Sequence, residues 1–281
     1  MTAVVDTVSA LRAQVTAWKA EGLRVALVPT MGALHDGHVS LMRAALDRAD
    51  RCIVSIFVNP RQFAPTEDLD KYPRQLEQDL ARLTEAGVHL AFTPDVNEVY
   101  PEGFATSISV GGPSSGLETD FRPSFFDGVA TVVAKLFIQT APDLAVFGEK
   151  DYQQLCVVKK LCLDLNLPVE ILGSPTIRDV EGLAMSSRNA YLSPAELEIA
   201  RKLNKVLRKA ASALRGGADE TAAMVAARQE IIGAGFDSVD YVAARQSDTL
   251  APWRRELEGR VLVAARLGKT RLIDNIEVAA G

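Results

Sequence analysis

Short, nearly all-apolar runs alternate along the chain with longer stretches whose apolar positions recur at helical spacing. Residues 24–28 form the first such run; after a loop come Leu41, Met42, Ala45, Leu46 and Ala49, the stripe of an amphipathic helix. The alternation continues with a strand over 52–58, a helix carrying Leu76, Leu80 and Leu83 and stopped by Gly87, and strands over 88–92, 144–147 and 169–172. Helices over 128–140 and 155–165 are interleaved with these strands. Strands apolar on both faces predict a parallel sheet covered by helices. Residues 20–175 therefore read as a Rossmann-like, doubly wound α/β domain.

After Pro175 the pattern changes. Ser193-Pro-Ala-Glu196 is a capping box with proline at the first helical position, and it opens a charged helix running to Gly216 and Gly217. A helix over 220–232 and strands over 239–244, 260–266 and 272–278 predict a smaller α+β module. The expected division is a domain over 1–176 and a C-terminal α+β domain over 177–281.

Composition narrows the function classes. The 281 residues are 48% hydrophobic and 24% charged, with 31 Lys plus Arg against 36 Asp plus Glu, a net charge of -5. The apolar content excludes disorder as the main state, and the negative charge argues against a nucleic-acid partner. No apolar run is long enough to span a bilayer, and the charged N-terminus lacks the apolar core of a signal peptide; a cytoplasmic protein is expected. Cys52, Cys156 and Cys162 form no Cys-x-x-Cys pair and read as small core residues.

Open α/β sheets bind ligands beyond the carboxyl ends of their strands, so the loops after the strands carry the candidate chemistry. The first, Pro29-Thr-Met-Gly-Ala-Leu-His-Asp-Gly-His38, puts His35 and His38 at one helix N-terminus. Free backbone N–H groups and the helix dipole there suit a phosphate, and imidazoles add donors where charge develops. The plainer alternative is that both histidines only cap the helix; a zinc site lacks further ligands nearby in sequence. The second loop, Asn59-Pro-Arg-Gln62, offers two amides, though Asn-Pro is common turn chemistry. The third, 147–154, opens a helix with Glu149, Lys150, Asp151, Gln153 and Gln154; Lys150 suits phosphate and Gln154 a polar substrate. The fourth, Met185-Ser-Ser-Arg-Asn189, combines hydroxyl and guanidinium donors fit for a polyphosphate, with a surface linker as its bland reading.

Two tempting motifs fail. Leu267-Gly-Lys-Thr-Arg271 resembles the end of a phosphate-binding P-loop, but position 263 is Val where its first glycine belongs. Pro113 breaks any dinucleotide fingerprint in 111–116, which reads as a flexible loop.

Taken together, PTMGALHDGH (29–38), VSIFVNPRQF (54–63), YPR (72–74), GEKDYQQL (148–155), GLAMSSRN with YL (182–192) and LGKTRLIDN (267–275) resemble the pantoate:β-alanine ligase family of the nucleotidylyltransferase-like superfamily. The likeness covers essentially the whole chain. It implies a homodimeric, AMP-forming ligase with ATP and Mg2+, whose first domain binds ATP and pantoate and whose second is lid-like. ATP would lie against Pro29, Thr30, Met31, Gly32, Ala33, Leu34, His35, Asp36, Gly37 and His38, against Gly148, Glu149, Lys150 and Asp151, and against Ile177, Met185, Ser186, Ser187 and Arg188. Pantoate would meet Gln62 and Gln154, with Met31 and Asn59 beside them. His38 inherits the role of an acid, with His35, Lys150, Ser186, Ser187 and Arg188 neutralising charge; Asp79 and Asp151 are candidate metal carboxylates.

One departure stands out. Where the family usually reads Arg-Pro-Gly-His-Phe, this chain has Arg122-Pro-Ser-Phe-Phe126, so Phe125 replaces a histidine; Arg61 stands where Met is common. Altered loop packing is expected from the first and altered substrate affinity from the second. A nucleotidyltransferase acting on a phosphate, or a nucleotide sensor, would share the histidine loop, and dependence of ATP turnover on an acid substrate separates these readings.

Overall fold

The computed structural model describes residues 1–64, 67 and 69–281. In chain order its elements are β1 (Ala3–Val5), α1 (Val8–Ala20), β2 (Val25–Thr30), α2 (Asp36–Leu46), β3 (Arg51–Ile56), α3 (Leu76–Glu85), β4 (Leu90–Phe92), α4 (Val96–Val99), α5 (Glu118–Phe121), α6 (Phe125–Thr140), β5 (Leu144–Gly148), α7 (Tyr152–Asp164), β6 (Glu170–Ser174), α8 (Pro194–Ala200), α9 (Lys202–Arg215), α10 (Glu220–Gly233), β7 (Ser238–Gln246), β8 (Gly259–Leu267) and β9 (Thr270–Val278). Single 3-10 turns occupy Pro60–Gln62, Leu69–Lys71, Glu149–Asp151 and Ser187–Tyr191.

The chain divides into two compact units. One comprises Met1–Val110, Arg122–Glu149 and Val157–Pro175; the other comprises Gly111–Phe121, Lys150–Cys156 and Thr176–Gly281. The last step between them follows Pro175, beside the boundary expected from the sequence. The segments 111–121 and 150–156, assigned by pattern to the first domain, join the second unit.

The first unit holds a six-stranded sheet in the order β1-β4-β3-β2-β5-β6, its strand pairs all parallel. The order turns back between β2 and β5, which makes the crevice beyond their carboxyl ends the topological switch point. Ala26, Val28, Cys52, Val54, Ala91, Leu144 and Val146 pack with Leu41, Met42, Ala45 and Leu83 from α2 and α3 into one buried cluster. Cys52 is fully enclosed there, and burial pushes its thiol up to about 12, as a core cysteine requires. The short edge strand β1, mostly exposed, and α1 carry no strong pattern and went unforeseen.

In the second unit β7-β8-β9 form an antiparallel meander. Its buried face packs on α9 and α10 through Leu203, Leu207, Leu214, Ala227, Ile231, Val261 and Val263. The charged helix expected from Ser193 onward forms as two pieces, α8 and α9, joined at Arg201. The Gly268-Lys269 pair that resembled a P-loop is the two-residue turn of the β8–β9 hairpin: Leu267 pairs with Thr270, and Gly268 adopts φ +56°. Residues 111–116 were expected to be flexible, but Gln153 Nε2 donates to the carbonyls of Pro113 and Gly116 at 3.0 and 3.1 Å, pinning the loop.

Candidate active site

The loop after β2 reaches the switch point and is organised almost entirely by its own side chains and one distant acid. Gly32 (φ +83°) and Ala33 (φ +51°) turn the chain left-handed. A Cβ on Gly32 would stand 3.0 Å from Asp79 Oδ2, so glycine is required by contact as well as by conformation. Thr30 Oγ1 donates to the Ser55 carbonyl and accepts from Gly32 N–H, while Asp79, 1% exposed, accepts from Ala33 and Leu34 N–H at 3.0 and 2.8 Å.

His35 is the N-cap of α2 and His38 its third residue, and the two form a reciprocal capping box. His35 Nδ1 accepts from Gly37 N–H at 3.1 Å and His38 Nδ1 accepts from His35 N–H at 3.2 Å. The ring centroids lie 4.1 Å apart. A nitrogen that accepts a backbone N–H bears no proton, so this geometry assigns the ring proton to Nε2 in both histidines. The capping and ligand-donating readings are therefore compatible: one nitrogen fixes the ring and the other is a donor.

This loop corrects the expectation of an open backbone cradle for phosphate. The N–H groups of Gly32, Ala33, Leu34, His35 and Gly37 are all taken up by side chains of the same unit. Attraction for an anion must then come from imidazole Nε2–H and from the dipole of α2.

Asn59 is fully buried and its amide orientation is fixed by backbone partners. Its Oδ1 accepts from Arg61 N–H at 3.3 Å and from the Tyr100 hydroxyl at 2.9 Å; its Nδ2 donates to the Gly128 carbonyl at 3.1 Å and to Gln62 Oε1 at 2.8 Å. Gln62 thus turns its oxygen inward and its NH2 the other way. Asn59, expected to contact substrate, instead orients Gln62, because its own polar atoms are saturated. Gly128 permits the close seat of α6 on this turn: a Cβ there would lie 2.1 Å from the Arg61 carbonyl oxygen. Burial pushes the Tyr100 hydroxyl up to about 12, against the opposing pull of Arg61.

Around the departure from the family motif, Arg122 stacks 3.7 Å over the Phe125 ring, grips Glu67 through Nε and a terminal nitrogen at 2.6 and 2.8 Å, and donates to the Gln62 carbonyl at 2.9 Å. Phe125 thereby serves as a cation–π platform. Arg61 lies 5.6 Å over both Tyr100 and Phe104, so its charge is held against aromatic rings.

In the second unit, Lys150 lies in the 3-10 turn that precedes α7, with Nζ 3.7 Å from Asp151. Of the paired amides, Gln153 is buried and structural, whereas Gln154 is half-buried. Ile177 accepts from Met185 N–H at 2.9 Å, closing a short antiparallel excursion in which Arg178 pairs with Ala184. Ser186 caps the following turn by accepting from Arg188 N–H at 3.3 Å, so its hydroxyl proton remains a donor.

Neither structure nor chemistry supports Asp79 as a metal ligand, since its carboxylate is enclosed and occupied by two backbone donors. Asp151 is half-exposed, with one carboxylate oxygen 3.7 Å from Lys150 Nζ. Among the described residues no group of three His, Cys, Asp or Glu could hold a metal ion. His89 accepts Cys52 N–H at 3.2 Å and packs edge-on to Trp18, a structural role. No helix among the described residues is long and apolar enough to cross a membrane.

Sequence reasoning missed the positioning parts: Tyr100, Gly128 and Glu67 in the first unit, and in the second Gln153, whose Oε1 accepts from Glu118 N–H at 3.1 Å, and Arg178, which pairs with Asp274. Nothing in local pattern distinguishes them, because their partners lie 35 or more residues away in the chain.

Comparisons with known proteins agree with this arrangement. The sequence profile of the Pantoate-beta-alanine ligase family matches residues 3–277. The pantothenate synthetase of Mesorhizobium japonicum is 68% identical over 275 residues, covering 98% of this chain and 97% of the relative. The crystal structure of pantothenate synthetase from Thermus thermophilus superposes with a TM-score of 0.90 at 44% identity, covering 99% of each chain. A pantoate-beta-alanine ligase from Francisella tularensis, complexed with beta-gamma ATP and beta-alanine, gives a TM-score of 0.85 at 33% identity over 100% of this chain and 99% of that one. With a doubly wound sheet, a histidine pair at its switch point and these whole-length similarities, the chain belongs to the pantoate-beta-alanine ligase family.

Proposed function

We propose that the chain condenses (R)-pantoate with β-alanine in the cytoplasm, as a homodimer, using ATP and proceeding through enzyme-bound pantoyl adenylate. The observation that carries this reading is the locked histidine pair at the mouth of β2, which puts two neutral Nε2–H donors where a nucleotide phosphate binds in such sheets. The Francisella ligase complexed with beta-gamma ATP and beta-alanine supports the same ligands.

A carboxylate is a poor electrophile, so the first step converts it to a mixed anhydride. A pantoate carboxylate oxygen attacks the α-phosphorus in line; the new O–P bond forms as the α-phosphorus–bridging-oxygen bond breaks, and pyrophosphate leaves with the electron pair. Pantoate is already ionised, so this step needs no general base. His38, as the acid, donates its Nε2–H to the oxygen gaining charge, and His35, Lys150, Ser186, Ser187 and Arg188 share the neutralisation. Mg2+, when bound with ATP beside Asp151, adds further charge neutralisation at the phosphates. Gln62 presents its NH2 to pantoate, oriented by Asn59, and Gln154 supplies the second amide; Ile177 and Met185 line the nucleotide.

In the second step the free amine of β-alanine attacks the acyl carbon, the C–N bond forms, the acyl–phosphate C–O bond breaks, and AMP departs while the amine proton passes to solvent. The products are pantothenate, AMP and pyrophosphate. The test is pantoate-dependent exchange of labelled pyrophosphate into ATP without β-alanine, followed by AMP release when the amine is added. The expected result is exchange without amine, AMP only with it, and a fall in exchange of about 100-fold or more in His38→Ala. Exchange or turnover independent of pantoate would replace this reading with a nucleotidyltransferase or a sensor.

A further inference from the structure

The segment LGKTRLIDN ends in Asp274-Asn275, a pair to which none of the steps above gives a task. Both residues are buried, at 4% and 3% exposure, on β9 of the second unit. The Asn275 amide is oriented without ambiguity by partners of fixed polarity: Nδ2 donates to the Lys150 carbonyl at 3.0 Å, and Oδ1 accepts from an Arg260 terminal nitrogen at 2.8 Å. The same Arg260 guanidinium lies 4.0 Å over the ring of Tyr152, two residues beyond Lys150. Tyr152 in turn donates its hydroxyl to the Ser247 carbonyl at 2.8 Å. The turn that carries Lys150 is thus held at its carbonyl and at the ring that follows.

Asp274 frames this contact. It accepts from Asn275 N–H at 2.7 Å and forms a bidentate pair with Arg178 at 2.7 and 2.8 Å. Arg178 also donates to the carbonyls of Gly182 and Asn275. It stands next to Ile177, at the base of the excursion that leads to Ser186-Ser187-Arg188. One buried pair therefore fixes the backbone of two of the segments assigned to the phosphates.

We propose that Asn275, framed by Asp274 and Arg178, is a positioning residue for adenylation: it sets the Lys150 backbone from which the ammonium reaches the phosphates. The inference rests on the adenylate reading above. Long side chains amplify small backbone shifts, and misplacement of a charge-neutralising group by about 1 Å costs on the order of 100-fold in rate. Lys150 acts while pyrophosphate departs and has no task in amine attack, so the two half-reactions respond differently.

The experiment compares wild type, Asn275→Ala and Lys150→Ala in pantoate-dependent pyrophosphate exchange, and separately in single-turnover aminolysis of adenylate preformed on the enzyme. Asn275→Ala is expected to lower the exchange rate at saturating substrates by about 10- to 100-fold while aminolysis stays within about 3-fold. Within the Lys150→Ala background the same substitution adds little, since both act through one group. Unchanged exchange in a folded variant, an equal fall in both half-reactions, or full additivity with Lys150→Ala overturns the proposal. Asn275→Ser, smaller and still polar, replaces Asn275→Ala if that chain does not fold; failure of both to fold also overturns it, since the pair would then be part of the fold alone. Absence of exchange in wild type would instead remove the adenylate reading itself.

Discussion

The two regions that carry the proposed phosphate-facing groups are built by opposite means. In the first unit the loop around His35 and His38 is held by one carboxylate and two imidazoles that accept backbone N–H groups, with no cation paired to Asp79 among the described residues. In the second unit the segment that follows Ile177 is anchored by the buried Arg178–Asp274 pair, and β9 is tied to Glu118 and Asp240 through Arg271 at 2.7 Å each. Backbone N–H groups are neutral, directional donors, each worth a modest amount by itself, whereas an ion pair inside protein tolerates no loss of one member. The histidine loop should therefore fail locally and the second unit globally.

The largest expected effect tests the second half of that contrast. Asp274→Ala leaves the Arg178 guanidinium, itself mostly buried, without its bidentate partner, and should lower stability by about 3–5 kcal/mol. Urea unfolding followed by circular dichroism measures it, and a loss below about 1 kcal/mol, the worth of an exposed pair, would mean that solvent already reaches the site.

Asp79→Asn is the matching change in the first unit. Asparagine keeps one acceptor oxygen, so one of the two loop N–H groups meets an NH2 instead of an oxygen. The expected loss is about 1.5–3 kcal/mol, a hydrogen bond to a charged group. The same change should lower pyrophosphate exchange through the displaced histidine caps. If stability falls while exchange is untouched, the loop's shape does not control His35 and His38.

This contrast also explains what the sequence made legible. The parallel sheet, the helices beside it and the β-meander follow from local periodicity, and the structure places them within a few residues of the expected positions. The strand-end loops were legible too, because ligand sites in such sheets follow topology. Two of the roles that came with the family resemblance meet occupied side chains: Asp79, a candidate metal carboxylate, accepts two backbone N–H groups, and Asn59, set beside pantoate, has its amide taken up by protein partners. A carboxylate or amide carries no mark in sequence of whether a backbone group 46 or 69 residues away will occupy it. The same ignorance hid Gln153 behind Gln154 and left the 111–116 loop reading as flexible.

The smallest expected effect lies at Tyr100, whose hydroxyl holds Asn59 and through it Gln62. Tyr100→Phe removes one of two donors to Asn59 Oδ1, worth about 0.5–1.5 kcal/mol, and should raise the KM for pantoate more than it lowers kcat. Its pH signature separates it from the charge-pair variants. The folded phenol titrates at about 12, above the ordinary value of 10, so the unfolded chain releases this proton first as pH rises. The stability tied to this group is complete below pH 10 and is lost as pH climbs toward 12. Tyr100→Phe should therefore flatten the decline of stability between pH 10 and 12 relative to wild type, while Asp274→Ala should leave that slope as it is. A slope unchanged in Tyr100→Phe would mean that the phenol is hydrated in solution and that Asn59 orients Gln62 without it.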